Sequence, residues 1–561
     1  MSALISALLR PEAYDHPVAA IRVLETHISW VLLTGTYAYK IKKPVDLGFL
    51  DFSTLERRRH FCQEELRLNQ RLSPELYLGL RSIHGPPERA SLHGTTPEVE
   101  VAVMMHQFRQ EDLLPAVLRR RAPLAERLLL IESFADRLAG FHAAAAVAPG
   151  DSDFGSPQRV QEPALANLEV LQRILGADPR LPPLHRWCLD QARQLAPVFA
   201  ERRRLRRVRE GHGDLHLGNL VLHQDRIVAF DALEFSPALR WIDVISDIAF
   251  LAMDLARQRQ PLLAAALLDR WLSHSGDYAG LATWRWYLVY RALVRAKVTA
   301  LRLQQAEASP AAERRRGRAD LRAYLQLATA STGSTVPVLL ITHGVSGSGK
   351  SHQARQLARQ LGWLHVRSDV ERLRLFGRWG EACAAPRQGD PYSAAVSEAL
   401  YGERLIQCCR SALAAGLSVI CDATFLQRWQ RQLFRDLAVK QGARFVILGC
   451  CCPPDLARRR IVERRLRGGD PSEADASVLQ RQLACLEPLT AAEQKEMLVV
   501  RAESSGGGCE TSARPEPSAK SEMSAISDAI SLPQDGREAP AATAALLASL
   551  RHLAGGSAAA E

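Results

Sequence analysis

The sequence predicts two unlike domains in one chain: an α+β domain of two lobes over residues 1–330, then an α/β domain with a parallel sheet over 336–501. Three observations carry this expectation. The first half alternates short strand-like runs with helical patterns and then turns mostly helical. In the second half the runs "VPVLLITH", "GWLHVRSD", "GLSVICDAT", "ARFVILGCC" and "EMLVVRA" are separated by helical stretches, the pattern of parallel strands with crossovers. Each half also holds its own glycine-marked loop, "HGDLHLGN" at 212–219 and "GVSGSGKS" at 344–351.

Composition sets the outer bounds. A chain of 561 residues exceeds one hydrophobic core. With 47% hydrophobic and 24% charged residues it reads as a soluble globular protein. No apolar run reaches the roughly 18 residues of a membrane helix, so no membrane partner is expected. The opening "MSALISALLRPEAYDHP" lacks the leading positive charge of a secretory signal. Eleven cysteines without CxxC spacing indicate reduced thiols and a cytoplasmic protein, and "CCC" at 450–452 lacks metal-site spacing.

The net charge of +11 comes largely from arginine runs such as "ERRRLRRVRE" and "RRRGR". No aromatic residues interleave them, so they support a nucleic-acid partner only weakly. Lysine is more telling: there are eight against 64 arginines, and Lys40, Lys42, Lys43 and Lys350 stand beside the candidate phosphate sites. A compact ammonium suits a phosphate cradle too narrow for a guanidinium.

In the first domain, "HISWVLLTG" and "YAYKIKK" read as two strands joined at Gly35–Thr36, with Lys40 on the face it shares with Ala38 and Lys42. The helix "TLERRRHFCQEELRLNQRL" offers Glu64 or Glu65 as partner for Lys40. At about 100° per residue its apolar stripe passes near Glu65 and away from Glu64, so the pair is assigned to Lys40 and Glu65. "VEVAVMMHQF" is then a strand running into a hinge that contacts adenine. His212, Asp214 and Asn219 fit H-x-D-x-x-x-x-N, the catalytic-loop pattern of the protein-kinase fold. In that pattern the acid accepts the proton of an attacking hydroxyl and the amide ligates Mg²⁺ on ATP. A second metal acid should follow after one hairpin, and "NLVLHQDRIVAFDALEF" supplies it: strand, turn at Gln224–Asp225, strand, Asp231. Asp243 and Asp247 are read as supports of the loop, and His216 as a residue that orders it.

The domain boundary is expected near residue 331, after a polar stretch and the turn-rich "STGSTVP". Gly344, Val345, Ser346, Gly347, Ser348, Gly349, Lys350 and Ser351 satisfy G-x-x-x-x-G-K-S between an apolar strand and a helix. Backbone amides there would wrap a phosphate at a helix N-terminus, Lys350 would bridge the β- and γ-phosphates, and Ser351 would hold Mg²⁺. Asp369 and Asp422 each close a strand and should meet this loop at the carboxyl edge of the sheet. Residues 502–561 are Ser/Gly/Pro/Glu-rich and expected to be disordered, with a short helix in "AATAALLASLRHLA".

Two resemblances sharpen these readings. "GVSGSGKS", "SDVERLR", "VICDATF" and "RRRIVERR" resemble the small P-loop kinases, which include polynucleotide 5′-kinases, gluconate kinase and zeta-toxin-like enzymes. That resemblance implies Asp369 as base (or else helix cap), Arg372 as substrate contact, Asp422 as the acid of the Mg²⁺ water, and Arg460 and Arg464 as lid arginines. The last two stand four residues apart, on one helix face. The first domain resembles the aminoglycoside-phosphotransferase group of kinase-like enzymes, although no G-x-G-x-x-G loop is present and the metal acid sits in "DAL". The whole layout from "THISWVLLTG" to "DVISDIAFLAMDL" looks like bacterial proteins that fuse such a domain to a P-loop kinase-like domain, over roughly residues 15–500. The implied chain is a protein-kinase-like two-lobed domain and a P-loop domain, each using ATP and Mg²⁺ to phosphorylate a hydroxyl, a small molecule being the expected acceptor. Two other readings compete: a 5′-polynucleotide kinase of nucleic-acid repair, and a regulatory ATP switch with one non-catalytic domain. Protein partners are not legible.

Overall fold

The computed structural model describes the 561-residue chain apart from residues 1, 49, 95–96, 121, 306–309, 381–385, 503–529, 533–539 and 554–561. Two compact units emerge: Met1–Arg259 with Trp286–Ser331, and Gln260–Arg285 with Thr332–Glu561.

The first unit opens with β1 (Arg22–Glu25), β2 (Ser29–Leu33), β3 (Tyr37–Lys42), β4 (Tyr77–His84) and β5 (Glu98–His106), an antiparallel sheet in the order β1-β2-β3-β5-β4. The two-residue period of β3 decides what each face does. Tyr39 and Ile41 join a cluster with Ile5, Leu8 and Tyr14 of the N-terminal segment. Lys40 and Lys42 therefore point to the opposite face. There the helix Leu55–Gln70, capped by the Thr54 side chain, brings Cys62 against Val101 and Val103. The same core takes in Val221 and Val228, so sheet, helix and the hairpin that follows loop 212–219 share one packing unit.

Beyond the sheet the unit is mainly helical, with a short antiparallel pair of β6 (Val208–Glu210) and β9 (Trp241–Asp243), and the hairpin β7 (Leu220–His223) and β8 (Arg226–Ala229). The hairpin turns through Gln224 and Asp225 at φ 48° and 59°, the left-handed pair that a two-residue turn requires. The helix Val244–Arg257 is buried from Val244 to Leu255, so its two acids inside that stretch, Asp247 and Asp254, need internal donors.

The second unit holds β10 (Val338–His343), β11 (Leu364–Arg367), β12 (Val419–Asp422), β13 (Arg444–Cys451), β14 (Met497–Ala502) and β15 (Ile530–Leu532). They pair in parallel throughout, in the order β11-β12-β10-β13-β14-β15. The carboxyl ends of β10, β11 and β12 meet at one edge, which gathers Gly344–Ser351, Asp369 and Asp422.

Two segments pack in ways the sequence does not announce. Residues 260–285 fall inside the expected first domain, yet pack with the second unit. The helix Pro261–Ser275 buries Leu263, Leu267, Leu268, Trp271 and Leu272. Its polar end accepts Arg374 at Ser273 O (2.6 Å) and His274 O (3.0 Å), and Gly276 O accepts Arg404 at 3.0 Å. The chain leaves one unit and returns to it, which no local pattern announces. The second lies in 502–561, where the expected short helix is Pro540–Leu553: its Leu546, Leu547 and Leu550 enter the core beneath the parallel sheet with Leu340, Ile420 and Leu448. Most of the remaining stretch expected to be disordered lies outside the described residues. No described helix is long and apolar enough to cross a membrane.

Candidate active sites

In the first unit the site is built on charge. Lys40 Nζ lies 2.8 Å from Glu65 Oε1 and 2.6 Å from Asp231 Oδ1. Glu65, not Glu64, thus faces the lysine; Glu64 turns outward to Arg67 (2.8 Å) and Arg240 (3.3 Å). Lys42, which the sequence placed beside the candidate phosphate site without assigning it a partner, is a full member: its Nζ lies 2.7 Å from Glu65 Oε2 and 2.5 Å from Glu234 Oε1. Its place on the face of Lys40, and an acid three residues after Asp231, were the available signals. Burial works to raise the Glu65 carboxyl, but the two ammoniums outweigh it and hold it at about 2. Burial likewise works against both lysines, and their carboxylates keep them above the ordinary lysine value. Burial raises Glu234, which Lys42 only partly offsets.

Asp231 sits at φ 62°, a left-handed conformation unusual for a residue with a side chain. Its N–H donates to Tyr77 Oη at 3.1 Å, and the next N–H donates to Asn69 Oδ1 at 2.9 Å. These bonds aim the carboxylate at Lys40.

The loop 212–219 is held from behind by carboxylates of the buried helix. Asp247 Oδ2 accepts from His212 N at 2.7 Å and Oδ1 from Gly213 N at 3.0 Å, while Asp254 Oδ2 accepts from Leu217 N at 3.0 Å. Burial raises Asp247, but His142 and the neighbouring charges bring it down to about 2. Gly213, at φ 83°, could not carry a side chain, since a Cβ would meet Leu239 O at 2.9 Å. His212 Nδ1 accepts from Asp214 N (3.3 Å), so its Nε2 carries the proton given to Phe230 O (3.1 Å). Burial depresses the His212 pKa, in keeping with a neutral ring. His216 Nδ1 accepts from Gly218 N at 3.0 Å, and its Nε2 stands 3.5 Å from Asp214 Oδ2. Asp243 lies further off, capping Val244–Arg257 and paired with Arg202 at 2.6 Å.

Asp214 and Asn219 come together: Asn219 Nδ2 donates to Asp214 O at 3.0 Å and to Asp214 Oδ2 at 3.1 Å. Burial opposes ionisation of Asp214, yet His216 and Arg295 hold its carboxyl well below the usual range. An anionic base, an amide and the Asp231 carboxylate are oxygen donors of the hard type that Mg²⁺ takes, and Lys40 supplies the positive charge a phosphate needs.

The second site follows β10. Gly347 (φ 82°) lies against Ala457, whose carbonyl oxygen a Cβ would meet at 2.4 Å. Lys350 and Ser351 open the helix Lys350–Leu361, placing the loop at its N-terminus. Lys350 Nζ donates to Val345 O at 2.7 Å, and burial lowers its pKa. Ser348 Oγ is buried with no hydrogen-bond partner among the described residues, as an anion cradle would leave it. Ser346 N donates to Gln482 Oε1 at 2.7 Å.

Asp422 receives a side-chain hydrogen bond from Ser351 and lies 3.1 Å from His365 Nε2, a neighbour that the motifs did not single out. Burial raises Asp422, but His365, Arg367 and Ser351 lower it to about 2. Asp369 lies in the first turn of the helix Ser368–Leu375, whose cap is Arg367, so Asp369 is not the cap. It pairs with Arg372 at 2.7 Å, and that guanidinium lies 4.5 Å from the Tyr392 ring centroid. Both helix arginines lie near the loop: Arg460 Nη1 would stand 3.6 Å from a Cβ at Gly349, and Arg464, whose Nη2 donates to Ala474 O at 2.9 Å, is close enough that its charge helps lower the Lys350 pKa. Among the described residues no His, Cys, Asp and Glu group forms a metal cluster, the triple cysteine included.

Comparison with known proteins places family matches on both units. Residues 62–287 match the model described as the phosphotransferase enzyme family, and residues 339–489 the model described as an AAA domain. An uncharacterized protein of Mycobacterium tuberculosis is 31% identical over 472 residues, which cover 82% of this chain and 90% of that protein. Among solved structures, the aminoglycoside phosphotransferase APH(2'')-Ib with ADP bound is 12% identical, with a TM-score of 0.30, over 56% of this chain and 95% of that one. A gluconokinase of Sinorhizobium meliloti is 17% identical, with a TM-score of 0.24, over 39% of this chain and 95% of that one.

Proposed function

The chain belongs to the family of that mycobacterial protein and joins a phosphotransferase-type, kinase-like domain to a P-loop kinase-like domain; from this we propose that it carries two working ATP sites, each transferring a phosphoryl group to the hydroxyl of a small molecule. The single observation that carries the proposal is that neither site lacks a charged part. Lys40, Glu65, Asp231, Asp214 and Asn219 converge in one unit, and Lys350, Ser351 and Asp422 in the other.

In the first site Asp214, ionised at neutral pH, accepts the acceptor's hydroxyl proton. Asn219 and Asp231 are the residues that would hold Mg²⁺, and Lys40, steadied by Glu65, neutralises the nucleotide phosphates. In the second, the amides of 344–350 and Lys350 hold the phosphates, while Ser351 and Asp422 are the Mg²⁺ side. Asp369 stands as base and Arg460 beside the loop. Bound Mg²⁺ would neutralise charge on the phosphates as the phosphoryl group moves. Catalysis of this kind rests on positioning and electrostatics rather than on covalent intermediates. A cytoplasmic location fits nucleotide supply and the free, mostly buried cysteines.

Titration of the full chain with a non-hydrolysable ATP analogue tests the two sites. Two Mg²⁺-dependent binding events are expected, one lost in Lys40→Met and the other in Lys350→Met. A single event untouched by one of these variants would leave that unit without a nucleotide site.

A further inference from the structure

Near Asp214 stands a cation, Arg295, that forms no ion pair with a carboxylate among the described residues. The helix Trp284–Gln305 lies along the catalytic loop, where Arg291 donates from Nη1 to Gly213 O at 3.0 Å and from Nε to Ser246 Oγ at 3.1 Å. Its guanidinium lies 4.6 Å from the Phe250 ring centroid, so Arg291 is engaged in holding the loop. Arg295 stands one helical turn further on the same face, next to the loop that contains Asp214.

Arg295 makes one hydrogen bond, from Nε to Tyr324 Oη at 3.4 Å. Tyr324 Oη donates in turn to Asp254 Oδ1 at 3.2 Å, and Asp254 Oδ2 is taken by Leu217 N. Both oxygens of the nearest acid are thus occupied, and among the described residues no carboxylate comes within 4.0 Å of the Arg295 guanidinium. Among the described residues its two terminal nitrogens have no hydrogen-bond partner, while the guanidinium lies 5.8 Å from the Tyr324 ring centroid in a partly buried position. Burial works against its charge, but Tyr324, Asp254 and Asp214 outweigh it and keep the guanidinium cationic, so it stands as a fixed charge with donors to offer an anion. Its positive charge reaches Asp214, where it is one of the influences that keep the carboxyl ionised. An ammonium-bearing acceptor would meet repulsion at the same point.

We propose that Arg295 receives a phosphate or carboxylate group of the alcohol that Asp214 deprotonates, so that the first unit's acceptor is an anionic hydroxyl compound and not a polycationic amino sugar. The inference rests on the phosphotransferase reading of the Asp214 site. In the transfer the bond from the γ-phosphorus to the bridging oxygen of ATP breaks and the acceptor oxygen bonds to that phosphorus. The hydroxyl proton passes to Asp214, and ADP leaves.

The test uses full-length Lys350→Ala protein, to silence the second site, with γ-labelled ATP and Mg²⁺. Four acceptor arms are offered: glycerol 3-phosphate and ribose 5-phosphate; gluconate and glycerate; glycerol and glucose; kanamycin. Label is expected only in the first two arms, and which one takes it distinguishes phosphate from carboxylate. Arg295→Gln should raise the acceptor KM at least tenfold with the ATP KM unchanged, and Arg295→Lys should recover part of the loss. Label in kanamycin or in the neutral arm, or an unchanged acceptor KM in Arg295→Gln, overturns the proposal.

Binding is read alongside, by titrating the MgADP-loaded protein with glycerol 3-phosphate and with gluconate. Arg295-dependent binding without any transfer would keep the anion site and sink the phosphotransferase reading. Kanamycin phosphorylation that depends on Asp214 would do the reverse. Neither transfer nor Arg295-dependent binding overturns both.

Discussion

Replacing Lys42 by methionine tests the buried charge cluster of the first unit. Lys42 is 1% exposed, and its partners Glu65 and Glu234 are 0% and 4% exposed. Without its ammonium, Glu65 keeps Lys40 at 2.8 Å, but Glu234 loses the only ion-pair partner described for it. Breaking a buried pair by removing one partner costs about 3–5 kcal/mol. That is a large part of the roughly 5–15 kcal/mol by which a domain is stable. Burial already raises Glu234, so in the variant it should take up a proton, and the deficit should shrink as pH falls. Replacing both charges, as Lys42→Met with Glu234→Leu, removes the orphan and should return to within about 1–2 kcal/mol of wild type. Native-state hydrogen exchange of full-length protein, read at peptides spanning β3, gives the opening free energy directly. A loss below about 1 kcal/mol in the single variant, or a double variant that shows the full loss, would refute the reasoning.

Other expectations follow from the same geometry. The Asp247 carboxyl lies at about 2, against an ordinary value of about 3.9, so it contributes roughly 2–3 kcal/mol of stability, present above pH about 4 and lost as pH falls through 2. Asp247→Asn should remove that acid limb from the unfolding profile of the first unit and lower transfer at Asp214; an unchanged acid limb would count against the assignment. Gly347→Ala puts a Cβ against Ala457 O in a left-handed backbone, and should weaken nucleotide binding at the second site at least tenfold, about 1.4 kcal/mol, in a fluorescent-nucleotide titration. A fragment that starts at Thr332 lacks Leu263, Leu267 and Trp271 and should be aggregation-prone, whereas one that carries 260–285 through a linker should be soluble; equal behaviour in size-exclusion chromatography would contradict the assignment of that segment.

The parts read well from sequence were those with short-range cause. The period of β3 put Lys40 and Lys42 on one face, the helical stripe separated Glu65 from Glu64, and the strand–loop–helix context of 344–351 placed that loop at a helix N-terminus. What escaped depends on chain segments far apart. The Lys42–Glu234 pair spans 192 residues, and His365 meets Asp422 only because β11 and β12 pair in parallel. The 260–285 segment carries the same amphipathic pattern whichever unit it serves, so its destination is a tertiary fact. Leu546 and Leu550 sit in an alanine-rich stretch beyond a polar one, where nothing local marks a core. No motif singles out Arg295, because its setting depends on Tyr324 and Asp254, contacts from other helices.

The central claim is that both sites turn over, and the direct measurement is ATP consumption with pooled cell metabolites in wild type, Asp214→Asn and Lys350→Ala. The account predicts that each variant loses a different, metabolite-dependent share of the turnover and that the double variant loses both. If Lys350→Ala abolishes all turnover while Asp214→Asn changes none of it, the first unit binds nucleotide without transferring phosphate, and the two-enzyme account fails.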